Sequence, residues 1–128
     1  MSNTINEKSV DFQKMEVVCE SIVISPGSTV TQATNRSTGV TINAPSGQIT
    51  TDSTSLAAAA EATFVVTNSY VTAKSVPIVA LASGAAATTQ VFVSAVAAGS
   101  FSITVANLHA ATAETGALVI NFAVLESA

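Results

Sequence analysis

Residues 91–107 read VFVSAVAAGSFSITVAN, and this stretch decides the fold. In its second half Phe101, Ile103 and Val105 alternate with Ser102 and Thr104. Successive side chains of a strand point to opposite faces, so this spacing predicts a strand with an apolar face turned in and a hydroxyl face turned out. The preceding TQVFVSAV, from residue 89, is rich in β-branched and aromatic residues that favour strands. Ala97-Ala98-Gly99 is a short connection ending in glycine, so the two segments form a hairpin.

The same alternation extends outward in both directions. Residues 117–127, ALVINFAVLES, place Leu118, Ile120, Phe122 and Val124 on one face. The opposite face, Val119, Asn121, Ala123 and Leu125, is half apolar, which predicts a central strand or one that touches a neighbour. In VPIVALA (76–82), Pro77 lacks the ladder N–H, so that strand starts at an edge or a bulge. TFVVTN (63–68) reads as a strand. In GVTINAPSGQIT (39–50), Val40 and Ile42 point one way and Thr41 and Asn43 the other. Ala44-Pro45-Ser46-Gly47 fits a type I turn, so a hairpin is expected there. Ser25-Pro26-Gly27-Ser28 is a turn, followed by a short strand at about 29–34. EVVCESIVI (16–24) also alternates; it is expected as a strand that buries Cys19 as a small hydrophobe. LAAAAEA (56–62) has two readings: a short helix capped by Asp52 or Ser53, or a close-packed extended connection.

FVVTNSYVTAKSVPIV and ITVANLHAATAETGALVI share an order of strand, Asn, polar loop and strand. The echo places Asn68 and Asn107 at equivalent strand exits, where Asn side chains satisfy turn backbone. Eight or nine short strands separated by turns predict an all-β chain: a single β-sandwich over residues 16–128, jelly-roll or immunoglobulin-like, with an extended N-terminal arm over 1–15. The lack of Trp and of a Cys pair disfavours a true immunoglobulin domain.

Charge is scarce and uneven. Of 128 residues, 48% are hydrophobic and 9% charged, about a third of the usual charged fraction. Glu7, Lys8, Asp11, Lys14, Glu16 and Glu20 supply half of the twelve charges, and none occurs from Ser75 to Ala113. A net charge of −4 argues against a phosphate-binding surface, and the few aromatics provide no stacking platform, so no nucleic-acid partner is expected. Polar residues interrupt the uncharged stretch too often for a membrane span, and the first residues lack the basic start and apolar run of a secretory signal. One Cys fits a reducing compartment, so the sequon Asn35-Arg36-Ser37 carries no expectation of a glycan.

Residues able to carry chemistry are few. His109, the only histidine, falls in a polar loop after Asn107 and is expected to be solvated. One His and one Cys cannot build a metal site alone. Asp52 reads as a turn or cap residue, and Glu61 and Glu114 as loop solubilisers. No cofactor, no metal site and no catalytic residue is expected, and the chain is read as a non-enzyme. Arg36, the only arginine, is read either as a solvated turn residue or as an interface anchor.

The segment TVTQATNRSTGVTINAPSGQIT (29–50) resembles one that recurs in small virion proteins of tailed bacteriophages. FVVTNS (64–69), VAAGSFSITVAN (96–107) and ALVINFAVLE (117–126) extend the resemblance from residue 29 to the end. It implies a virion structural protein, and at this size a head decoration, or cement, protein. Proteins of that kind are β-rich, often trimeric, and sit on the shell after it expands. The implied partners are the major capsid protein and further copies of the chain as a homotrimer; the implied location is the capsid surface, after synthesis in the bacterial host cytoplasm. A tail or fibre component is the alternative, and a receptor- or carbohydrate-binding β-sandwich module is a third reading, poorly equipped with one Tyr and no Trp. Ile5, Val10, Phe12 and Met15 are the arm's apolar residues and, with Arg36, the candidate contacts.

Overall fold

The computed structural model describes residues 18–85 and 88–128. Eight strands are present: β1 (Gly27–Thr31), β2 (Val40–Thr41), β3 (Ser46–Thr50), β4 (Glu61–Thr67), β5 (Ser75–Ser83), β6 (Thr89–Ala97), β7 (Ser100–Asn107) and β8 (Val119–Glu126). They form two four-stranded sheets, ordered β1-β3-β8-β5 and β2-β4-β7-β6. The sheets pack face to face, and the chain is a β-sandwich with no helix among the described residues.

The alternating segments became the core. Phe101, Ile103 and Val105 of β7 are 1%, 0% and 0% exposed, and they meet Ile120 and Phe122 of β8 and Leu118 just before it. The rings of Phe101 and Phe122 lie 5.7 Å apart and tilted by 51°, an edge-biased geometry that aromatic pairs favour. Phe64 and Val66 of β4 and Ile49 of β3 complete the interior. Each fully buried side chain of this size contributes about 1.5–3 kcal/mol. As its doubly apolar pattern required, β8 is central, paired with β3 and β5. β5 carries Pro77 and is an edge strand. β6 and β7 form the expected hairpin, with Ala97 opposite Ser100 and Gly99 at φ 81° in the two-residue turn.

Four expectations are corrected. Ala44–Gly47 does not close a hairpin, because β2 and β3 lie in different sheets. Val40, Ile42 and Ile49 all need the same interior, and a chain that arches from one sheet to the other delivers all three there. The arch is held by Asn68 Nδ2 donating to Ala44 O at 2.7 Å and by Val124 N donating to Pro45 O at 2.8 Å. The links β1 to β2 and β3 to β4 also cross between the sheets, and these two crossings stack, with β1 parallel to β3 and β2 parallel to β4. This adds two parallel pairs to the antiparallel pairing typical of sandwiches. Secondly, residues 18–24 make no strand here: they pair with no described edge, and Cys19 is exposed rather than buried. Thirdly, the strand placed at about 29–34 begins at Gly27 and ends at Thr31, because Gln32 turns inward to hold the following loop. Lastly, Thr104 was expected on an outward hydroxyl face, and it does share its hydrogen bond with Thr63 there, yet it is only 3% exposed.

Residues 56–62 form no helix, and they are extended only at their ends: a tight turn at 57–60, closed by Ala60 N donating to Ala57 O at 3.1 Å, lies between. Leu56 is buried and bridges Glu114, Ala59 sits at φ 58°, and β4 begins at Glu61. A helix would have carried Leu56 away from the core, and it cannot contain the left-handed conformation of Ala59.

Candidate functional site

The densest polar cluster lies where the loops after β1, β3 and β7 meet. Arg36, in the loop between β1 and β2, is 3% exposed. Its Nε donates to Thr54 O at 2.5 Å, Nη1 to Thr51 Oγ1 at 3.2 Å, and Nη2 to Gly116 O at 2.7 Å and Glu114 O at 3.3 Å. The planar, forked guanidinium thereby ties three separate connections together. Gln32 braces the same loop from the other side. Its Nε2 donates to Arg36 O at 3.1 Å and Thr38 O at 2.8 Å, while Oε1 accepts from Asp52 N at 3.0 Å. Thr51 Oγ1 also accepts from Leu118 N at 2.9 Å and donates to Asp52 O at 3.1 Å.

Glu114 supplies the balancing charge. It is 1% exposed, and its carboxylate accepts from Thr89 Oγ1 at 2.7 Å and Gly116 N at 3.1 Å. Its backbone pairs in both directions with Leu56. Burial pulls the Arg36 guanidinium below its ordinary range, and the charges of Glu114 and Asp52 oppose that shift. Asp52 is held below its ordinary carboxylate value mainly by the hydroxyl of Thr54, then by the Thr54 N–H at 2.7 Å. Its role as a turn residue is as the sequence indicated.

Arg36 is therefore neither a solvated turn residue nor a side chain presented outward: its donors are spent inside the molecule. Glu114, read as a loop solubiliser, is likewise internal. The sequence did hold a signal for both. Beyond residue 20 there are only six charges, and Glu114 sits in the otherwise uncharged AATAETGAL. A charge in so apolar a context is a candidate for burial with a partner.

The two echoed asparagines do equivalent work at opposite ends of one sheet. Asn68 Oδ1 accepts from Tyr70 N at 2.9 Å, and Asn107 Oδ1 accepts from His109 N at 3.1 Å. Both are buried, at 0% and 2% exposure. Asn107 Nδ2 also reaches the carbonyls of Leu56, Ala57 and Thr112. His109 does lie in a loop, half-buried, with Nδ1 accepting from Ala111 N at 3.1 Å and Thr112 N at 2.8 Å. Those two donors make it a loop brace. Among the described residues every buried side-chain nitrogen and oxygen has a hydrogen-bond partner, so the polar clusters are internally complete. No group of three or more His, Cys, Asp or Glu is gathered among the described residues to hold a metal ion. Among the described residues no helix is long and apolar enough to cross a membrane.

What the molecule offers outward is surface. On the outer face of the β5–β8 pair, Val76, Ile78 and Leu125 are 47%, 50% and 45% exposed. Val76 lies opposite Leu125 and Ile78 opposite Ala123, which makes one apolar stripe. A shallow open depression of about 220 Å³ along it is lined by Ile78, Ala80, Asn121, Phe122 and Ala123. On the other sheet Val65 and Phe92 are 47% and 44% exposed. Ile5, Val10, Phe12 and Met15, the expected arm contacts, lie outside the described residues. No family model, curated protein or solved structure matches the chain.

Proposed function

We propose that this protein is a non-enzymatic structural component of a tailed-bacteriophage virion: a decoration protein that binds the major capsid protein on the outside of the head, as a homotrimer. The observation that carries the reading is the surface of the sandwich. With Arg36 and Glu114 buried, four charged side chains remain in the body beyond residue 20, at Asp52, Glu61, Lys74 and Glu126. Of these, Glu61 alone alternates onto an outer sheet face among the described residues; Asp52 and Lys74 are in loops, and Glu126 bonds Thr72 and Ser75 at a strand end. Two broad faces of Thr, Ser, Ala and exposed Val, Ile, Leu and Phe carry little desolvation penalty when covered. Interface cores are likewise depleted of charge. A cement function requires such faces and no reaction centre. The resemblance of residues 29–50 and of the later strands to small phage virion proteins supports the same reading.

Sedimentation of the purified protein with expanded, empty heads of the cognate phage, and separately with isolated tails, tests it. Binding to heads and not to tails is the expected result. Recovery with tails alone would replace it by a tail or fibre role.

A further inference from the structure

We infer that the open edge of β1 receives residues 18–24 of a second copy of this chain as an added strand. The inference supplies a surface for the self-association contained in the proposed function, and its test uses the purified protein alone. Loss of head binding would therefore overturn that function without touching this inference.

A sheet edge offers unpaired N–H and C=O groups to another chain, and natural sandwiches blunt their edges with prolines, bulges, charges or brevity. Three of the four edges here are blunted. β5 carries Pro77 and a register shift between Leu81 and Ser83. β6 has a shift between Val93 and Ala95, and β2 is two residues long. β1 has none of these devices among the described residues. It runs Gly-Ser-Thr-Val-Thr in unbroken register with β3, without charge or proline, and four of its five residues are exposed. Its Val30, half-buried, packs against the core from the rim, where a further strand would cover it.

The donor has the complementary defect. Residues 18–24, VCESIVI, are rich in strand formers, with Val18, Ile22, Val23 and Ile24 among the seven. In the single chain they pair with nothing described, and Val18, Ile22 and Val23 are 85%, 76% and 80% exposed. The segment is poorly placed to pair with its own β1. Ile24 O accepts from Ser46 Oγ at 2.5 Å, and Ser46 begins β3, on the side of β1 away from the open edge. That bond holds Ile24 on the β3 side of β1, while the open edge faces the other way. A neighbouring copy resolves both defects. Donor and acceptor surfaces differ, so copies can exchange the segment reciprocally in a two-fold dimer or pass it head to tail around a closed ring such as a trimer.

Cys19 lies inside the donor and is the only cysteine, which makes a direct test available. Cysteine is placed in turn at Ser28, Thr29, Val30 and Thr31, and each variant is oxidised mildly while assembled. An intermolecular disulfide forms only between residues with Cα atoms about 4.4–6.8 Å apart. Expected are a covalent ladder from at least one β1 position, its loss when Cys19→Ser is added, and none from a control Ser102→Cys on the other sheet. Alongside, Val18→Ser, Ile22→Ser and Val23→Ser combined should weaken self-association in sedimentation equilibrium by roughly tenfold or more, with the circular dichroism of the body unchanged. A wild-type protein that stays monomeric at every concentration overturns the inference. So does an assembled protein whose β1 cysteines never bridge Cys19, or bridge no better than the control.

Discussion

At Arg36 a single side chain holds the ends of three loops. A buried charge is stable only when paired and hydrogen-bonded, and Arg36 has four acceptors with the Glu114 carboxylate nearby. Removing one partner of such a set strands the other. Arg36→Ala is expected to cost about 3–5 kcal/mol, measured by urea unfolding, because Glu114 and three carbonyls lose a partner together. Arg36→Lys should recover only part of that loss, since an ammonium cannot reproduce the fork. Asp52 adds a pH dependence of known sign. Its value in the fold is lowered from 3.8, so its contribution is fully present above that ordinary value and is lost as pH falls through the lowered one. The stability gap between the wild type and Asp52→Asn, present at neutral pH, should therefore close on acidification below 3.8. A gap that persists or widens in acid would contradict the assignment. Neither role could be read from local sequence. Arg36 and Glu114 are 78 residues apart, and only the fold makes them neighbours.

Among elements, the stacked arches depend on the close approach of β1 to β3. A Cβ on Gly47 would overlap the Ser28 carbonyl and come within 3.0 Å of Ile42 Cδ1 and 3.1 Å of Phe122 Cε1. Gly47→Ala is thus expected to destabilise the protein by about 1–3 kcal/mol. Hydrogen exchange should show the loss first in the amides of β1, since that edge strand pairs only with β3 in the single chain and its Ser28 carbonyl takes the clash. The strands themselves were legible: the alternations at 63–68, 76–82 and 89–107 each gave a strand in place, and Pro77 correctly marked an edge. The hairpin expected at 39–50 was not, because a Pro-Ser-Gly turn serves equally well for a reversal within a sheet and for an arch between sheets. Local turn chemistry is the same in both. What distinguishes them is which partner the next strand finds, and β3 finds β1 and β8.

For the whole molecule, the body should fold without its leader. Among the described residues every fully buried core side chain lies at or beyond residue 40, with Val30 packed against them from the rim. Deleting residues 1–15 is expected to leave the fold of the body intact, with its circular dichroism and urea-unfolding midpoint unchanged. If the arm contributes to the proposed head contact, the same deletion should weaken cosedimentation with expanded heads. Unchanged affinity would remove Ile5, Val10, Phe12 and Met15 from the interface.

The scarcity of charge, visible at once in the composition, gains a location in three dimensions. Two of the six body charges are internal, so the outer faces are barer than the count implies. For β8 and for Pro77 the sequence left two readings each, of which the fold took the central place and the edge. The sequence by itself determined the strands from residue 63 onward, most of their inward faces and the paired roles of Asn68 and Asn107. Each follows from a two-residue period or from a side chain bonding its own turn, and such interactions are local. Only the tertiary structure decided which sheet each strand joined, that residues 56–62 make a bridge and a turn in place of a helix, that Cys19 is exposed, and that Arg36 and Glu114 lie inside. Those outcomes depend on partners far away in the chain, and burial is settled by the sum of all such partners rather than by any neighbouring residue.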